Sequence, residues 1–194
     1  MDSMNTPTLI AIAIVVLAAL AIAGYVLYRK RQSRRLEQRF GPEYATVVQA
    51  LGSRAKAEKE LRRRERRVGR LEIIPLTTAE TARFTQSWNR LQGSFVDDPK
   101  GVLIQADQLV RELLTKRGYP MADFELRAAD ISVDHPVVVD NYRAAQRILS
   151  RDQRGEADTE ELRKAVVHFR ALFDELLGAS TATASAGPET RLAA

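Results

Sequence analysis

The chain has 194 residues, 45% of them hydrophobic and 28% charged, with a net charge of +5 and no cysteine. That length holds one modest core once a terminal apolar run and a polar tail are set aside. The missing cysteine excludes disulfides, zinc–thiolate sites and thiol catalysis. Charge is laid out unevenly: residues 29–70 carry 15 Lys and Arg against 5 Asp and Glu, and residues 71–194 carry 15 against 19. The basic character therefore belongs to one segment, and the distal part is mildly acidic.

Residues 1–8 read as a short extracytoplasmic N-terminus before residues 9–27, which run for 19 residues without a charge. As a helix rising about 1.5 Å per residue, such a run matches the ~30 Å hydrocarbon core of a bilayer. Tyr25 and Tyr28 stand at its end, where amphipathic rings favour an interface. The expectation is a transmembrane helix over residues 9–28. Arg29, Lys30, Arg31, Arg34, Arg35 and Arg39 follow at once and no basic residue precedes, so the expected topology is N-terminus outside and domain cytoplasmic, in a single-pass cell-membrane protein. Those six residues become the expected contacts to lipid headgroups. The rival is a cleaved signal peptide ending at Ala21-Ile22-Ala23, but it lacks the basic n-region such peptides carry.

Residues 29–72 read as a basic juxtamembrane helical segment. Gly41-Pro42 breaks the chain, and Pro42 suits the first position of a new helix running to about Arg70. Its apolar stripe of Tyr44, Val47, Val48, Leu51, Ala55, Leu61 and Val68 is narrow. Residues 61–67 contain five arginines, with Glu58, Glu60 and Glu65 spaced to pair along the helix surface. Three roles compete for this segment: a solvated spacer, a headgroup contact, or a nucleic-acid or partner contact through Arg62, Arg63, Arg64, Arg66, Arg67 and Arg70. It has no interleaved aromatic residues and no nucleic-acid-reading motif.

Residues 73–178 read as a helical bundle domain. Thr77-Thr78-Ala79-Glu80 has capping-box spacing, and Thr81, Phe84, Trp88, Leu91 and Phe95 recur on one face. Asp98-Pro99 is a cap followed by a first-turn proline, and Val102, Ala106, Leu109, Val110, Leu113 and Leu114 continue the pattern to the Gly118 stop. Residues 121–130 suit a short helix with Phe124 and Leu126 inward. Asp134-His135-Pro136 reads as the start of another, with Val138, Tyr142, Ala145 and Leu149 buried. A polar loop over residues 151–157 precedes the capping box at Asp158-Thr159-Glu160-Glu161. The last helix carries Leu162, Ala165, Val166, Phe169, Leu172, Phe173 and Leu176 to a stop at Gly178. Residues 179–194 are Ala-, Ser- and Thr-rich and read as a disordered tail. The fold class is all-α: a terminal apolar helix, a basic helix and a small antiparallel bundle.

The strings Phe95-Val96-Asp97-Asp98-Pro99, Arg117-Gly118-Tyr119-Pro120 and Ser132-Val133-Asp134-His135-Pro136 resemble a family of bacterial single-pass, membrane-anchored helical proteins. The likeness covers roughly residues 39–177. It implies a bacterial source and the same anchored layout, and it carries over no activity and no catalytic residue.

Chemistry has few candidates. Asp134-His135 has the composition of a base and its orienter, yet the same residues suit a helix cap. His168 beside Phe169 reads as a helix-face histidine. A di-iron bundle needs Glu-x-x-His repeats, and Ser132 and Ala165 occupy the glutamate positions. Asp97 with Asp98 suits a helix start better than a cation site. The expected function is a non-enzymatic, membrane-tethered interaction module with no metal or cofactor, lipid contacts and a protein partner; the alternative is an anchored nucleic-acid-binding protein.

Overall fold

Local signals start most of the helices where the sequence places them. In the computed structural model, Thr77 caps α4 (Thr78–Gly93) with the full reciprocal box: its hydroxyl accepts from the Glu80 amide at 3.2 Å, and the Glu80 carboxylate accepts from the Thr77 amide at 2.9 Å. Asp98 caps α5 (Pro99–Lys116), accepting from the Gly101 amide at 2.9 Å. Asp123 caps α6 (Phe124–Asp134) in the same way. Asp158 and Glu161 cap each other at the start of α8 (Thr159–Ser185). The structure describes the backbone of residues 6–185 and the side chains of Ile12 and residues 14–178; within these it contains eight α-helices and no strand.

Helices α4 to α8 close one core. α7 (Val139–Gln153) packs on α8, α5 lies against α8, and α4 lies against α5. Trp88 is buried and stacks on Phe173 with ring centroids 4.7 Å apart, while Tyr142 sits between Phe124 and Phe169 at 5.1 and 6.3 Å. Gly118 cannot be replaced without strain: its φ is +89°, and a Cβ would meet the Glu72 carbonyl oxygen at 2.2 Å. That close approach lets the segment before α4 run back over the end of α5, where the Ile74 amide donates to the Arg117 carbonyl at 3.0 Å.

The N-terminal part departs from the expectation. α1 (Thr6–Phe40) is one uninterrupted helix of 35 residues, about 52 Å long. Among the described residues no helix is long and apolar enough to cross a membrane, which corrects the expected single-pass anchor and the membrane topology drawn from it. The described apolar side chains before Arg29 comprise Ile12 and residues 14–28. The side chains of Leu9, Ile10, Ala11 and Ala13, and residues 1–5 entirely, lie outside the described residues.

The single basic helix expected from Pro42 to Arg70 is two helices, α2 (Pro42–Leu51) and α3 (Arg54–Val68). Gly52 adopts φ +61° as a left-handed cap and Ser53 is extended, so the chain folds back. The hairpin closes a second core: Leu36 and Phe40 of α1, Tyr44 and Val47 of α2, Ala57, Leu61 and Val68, with Val133 of α6. The basic segment is thus built into the fold.

Three further expectations are corrected. Asp134-His135-Pro136 ends α6, with His135 as its C-cap, and α7 begins only at Val139; Ile131-Ser132-Val133 lies within α6 with all three side chains buried. α7 continues through Gln153, which shortens the polar loop. α8 passes Gly178 and runs to Ser185; residues 186–194 lie outside the described residues. Replacing Trp88 by alanine should destabilise the protein by about 3–5 kcal/mol. A guanidinium melt followed by circular dichroism would measure this, and a change under about 1 kcal/mol would contradict the central place given to the Trp88–Phe173 stack.

Candidate interaction surfaces

The Gly41-Pro42 turn sets Glu43 in the first turn of α2, where the helix dipole favours a carboxylate. Its side chain is completely buried. Arg143 of α7 grips both oxygens, Nη1 donating to Oε2 at 2.6 Å and Nη2 to Oε1 at 2.8 Å. Arg64 of α3 donates from Nη1 to Oε1 at 2.7 Å and to the Ser132 hydroxyl at 3.2 Å. Burial alone pushes the Glu43 carboxyl up. The hydrogen bonds and charges of Arg143, and then of Arg64, outweigh burial and hold it below its ordinary value.

A second pair reinforces the same junction. Arg67 Nε and Nη2 both lie 2.6 Å from Oδ1 of the buried Asp130 on α6. Arg39 reaches Glu65 at 3.2 Å and Asp134 at 3.7 Å. A third cluster joins α1 to the hairpin: Glu58, nearly buried, accepts from Ser33 and from the Tyr44 hydroxyl at 3.1 Å, and Arg54 donates to Tyr44 at 2.8 Å. Burial pushes the Glu58 carboxyl up, and the bonds from Ser33 and Tyr44 with the charges of Arg54 and Arg62 bring it down below the ordinary value.

The expected contact residues therefore divide. Arg64 and Arg67 point inward to Glu43 and Asp130, and Arg62 lies 3.8 Å from Glu58 and 3.5 Å from Gln32. Arg63 pairs with Glu60 at 3.0 Å. Arg66 and Arg70 are exposed, and their side chains have no ion pair or hydrogen bond among the described residues. Of the six headgroup candidates, Arg29, Lys30, Arg31, Arg34 and Arg35 are exposed along α1, with Arg29 at 6.0 Å from the centroid of Tyr25; Arg39 is held by Glu65. Arg29, Lys30 and Arg34 share a groove with Arg54 at the start of α3, and Ser33, Leu36 and Phe40 are the α1 residues buried against the hairpin.

The family models, the curated proteins and the solved structures contain no match to this chain. The site must be judged from its own geometry.

Neither histidine forms the dyad considered from sequence. His135 is buried, and its Nδ1 lies 3.1 Å from Glu175 Oε1, whereas Asp134 accepts from the Tyr119 hydroxyl at 3.4 Å. His168 Nδ1 lies 2.8 Å from Asn141 Oδ1, and burial with the nearby Arg147 charge lowers its pKa. Among the described residues no three His, Cys, Asp or Glu side chains are grouped to hold a metal ion. A groove of about 630 Å³ runs between α1 and α3 past Tyr25, Arg29, Ser33 and Arg54.

Two surface features stand out. Every described large apolar side chain from Ile12 to Tyr28 is between 50% and 67% exposed. On α3, Lys56, Lys59, Arg63 and Arg66 all face outward, with Arg70 just beyond the helix end. Sequence reasoning missed the two lysines, whose 3-4-3-4 spacing with the arginines was the available signal. It missed Glu43 and Arg143 because their partnership spans 100 positions.

Replacing Glu43 by glutamine should destabilise the protein by at most about 3–5 kcal/mol, because Arg64 and Arg143 lose their buried carboxylate and keep only the more exposed Glu60 and Asp140. The parent's pH dependence follows from the same depression. The stabilisation is fully present above the ordinary value of 4.5 and is lost as pH falls through the lower folded value. Asp107 opposes this, since burial raises its pKa. Thermal melts between pH 7 and pH 3 should show a steeper acid loss in the parent than in E43Q; parallel profiles would refute the assignment.

Proposed function

We propose that this protein is a non-enzymatic helical interaction module, in which α2–α8 form a packed body and the first part of α1 is the docking arm. The observation that carries the reading is the uncovered arm. A helix apolar on every side is normally buried, and an exposed apolar surface of this extent marks a binding site. Burying a Leu, Ile or Val side chain contributes about 1.5–3 kcal/mol. The described arm therefore offers well over 10 kcal/mol against an association cost on the order of 4–15 kcal/mol. The partner expected is a protein presenting an apolar surface long enough to take several turns of helix.

The non-enzymatic reading is supported by the histidine geometry. His135 turns to a carboxylate on the neighbouring helix and His168 to an amide, and neither lines the grooves found beside α1, α3 or α7. Arm and body are separable in energetic terms, since both cores draw only on residues from Leu36 onward.

The test is removal of residues 1–27. The shortened chain should keep its helical spectrum and unfolding midpoint but sediment as a monomer in aqueous buffer, whereas the full chain should self-associate or stay bound to a co-purified partner. A full chain that sediments as a free monomer would refute the arm's role.

A further inference from the structure

Helix α3 has two faces with opposite tasks. Ala57, Leu61 and Val68 enter the second core, and Arg64 and Arg67 reach inward to buried carboxylates. On the other side Lys56, Lys59, Arg63, Arg66 and Arg70 are all exposed. At about 100° per residue, and continuing that period to Arg70, these five fall within a sector of roughly 80° and extend over about 20 Å. The acidic residue beside them is Glu60, already engaged by Arg63 and Arg64. The side chains of Lys56, Lys59, Arg66 and Arg70 have no ion pair or hydrogen bond among the described residues.

Like charges three and four residues apart destabilise a helix by a few tenths of a kcal/mol per pair. The dipole at the end of α3 offsets that only for the last turn, at Arg66 and Arg67, so it does not account for Lys56 and Lys59. At the end of the stripe Arg63, Arg66, Arg67 and Arg70 line a shallow cleft of about 380 Å³, a concave place for an anionic group.

We infer that the outer face of α3 binds the phosphate backbone of duplex nucleic acid, independently of base sequence. The length and straightness of the stripe fit a regular linear polyanion, which presents a phosphate every ~3.4 Å along each strand. No aromatic side chain stands on this face to stack unpaired bases, so the single-stranded form is disfavoured. The opposite face is packed against α1, α2 and α6, so the helix meets the backbone and does not sink into a groove to read bases. A lipid surface fits less well, because an interfacial helix inserts an apolar face, and the apolar face of α3 is already buried.

The test uses the full chain in a non-ionic detergent and a fluorescein-labelled, mixed-sequence DNA duplex of about 24 base pairs, read by anisotropy from about 50 to 200 mM salt. Five phosphate contacts imply a slope of log affinity against log salt of about −4.5. The variant K59Q/R63Q/R66Q/R70Q should bind at least about tenfold more weakly, with a slope shallower by about 3.6. R66E and R70E, which break no ion pair, should each weaken binding and keep the inference testable if the quadruple variant does not fold. R31Q/R34Q/R35Q on α1 should leave the slope unchanged. The inference is overturned if the α3 variants bind like the parent, if the α1 variant abolishes binding, or if poly-glutamate or phosphatidylglycerol-doped micelles displace the duplex at equal charge.

Discussion

A fully buried carboxylate is costly to ionise unless it is paired and hydrogen-bonded on both oxygens, and Glu43 meets that condition only when three separate helices are in place. α2 supplies the acid, α3 supplies Arg64 and α7 supplies Arg143. Of the buried apolar side chains in the second core, α6 contributes Val133, so apolar packing alone leaves the angle between hairpin and bundle loosely specified. The bidentate grip of Arg143 fixes it, since a guanidinium fork tolerates little rotation about its carboxylate. A buried ion pair of this kind adds little net stability over a well-packed apolar substitute; its contribution here is to select one docking geometry.

That geometry decides what remains for the surface. With Arg64 and Arg67 committed to Glu43 and Asp130, α3 is locked in rotation, and its other cations must face outward as a set. The same locking acts on α1 through Glu58, which takes bonds from Ser33 on α1 and Tyr44 on α2. The end of α1 is therefore fixed against the hairpin by Leu36, Phe40 and this polar cluster, and the apolar part projects from a defined direction.

The bundle was legible in the sequence because its signals are local. Thr77 with Glu80, Asp98 with Pro99, and Asp158 with Glu161 each act within three residues, and Trp88, Phe84 and Leu91 recur at helical spacing. The hairpin was read as one helix although Leu51-Gly52-Ser53 carries both a C-cap glycine and an N-cap serine, because the apolar stripe of Val47, Val48, Leu51 and Ala55 continues at helical spacing across it. His135 was misread for a related reason: a carboxylate two residues before proline resembles an N-cap, but burial of Ile131, Ser132 and Val133 carries α6 past the point where a cap would act. The apolar terminus was read as a bilayer span from a 19-residue count, while the described helix is a longer element whose second part is charged and packed. Glu43 left no signal, since its meaning depends on residues 21 and 100 positions away.

The arginines of α3 show why composition alone could not choose among roles for the basic segment. Five arginines in seven residues read as one patch when counted, but an α-helix distributes them around its axis, and the fold then assigns each by its angle. Arg64 falls beside Val68, Arg67 falls at the edge of the outward stripe, and both are neutralised by carboxylates brought from α2 and α6. Arg63, Arg66 and Arg70 fall on the side shared with Lys56 and Lys59, where the chain supplies one carboxylate for five cations. The backbone of that face is held by the packing of the opposite one, so an anion meeting it would have to order side chains and not the helix that carries them.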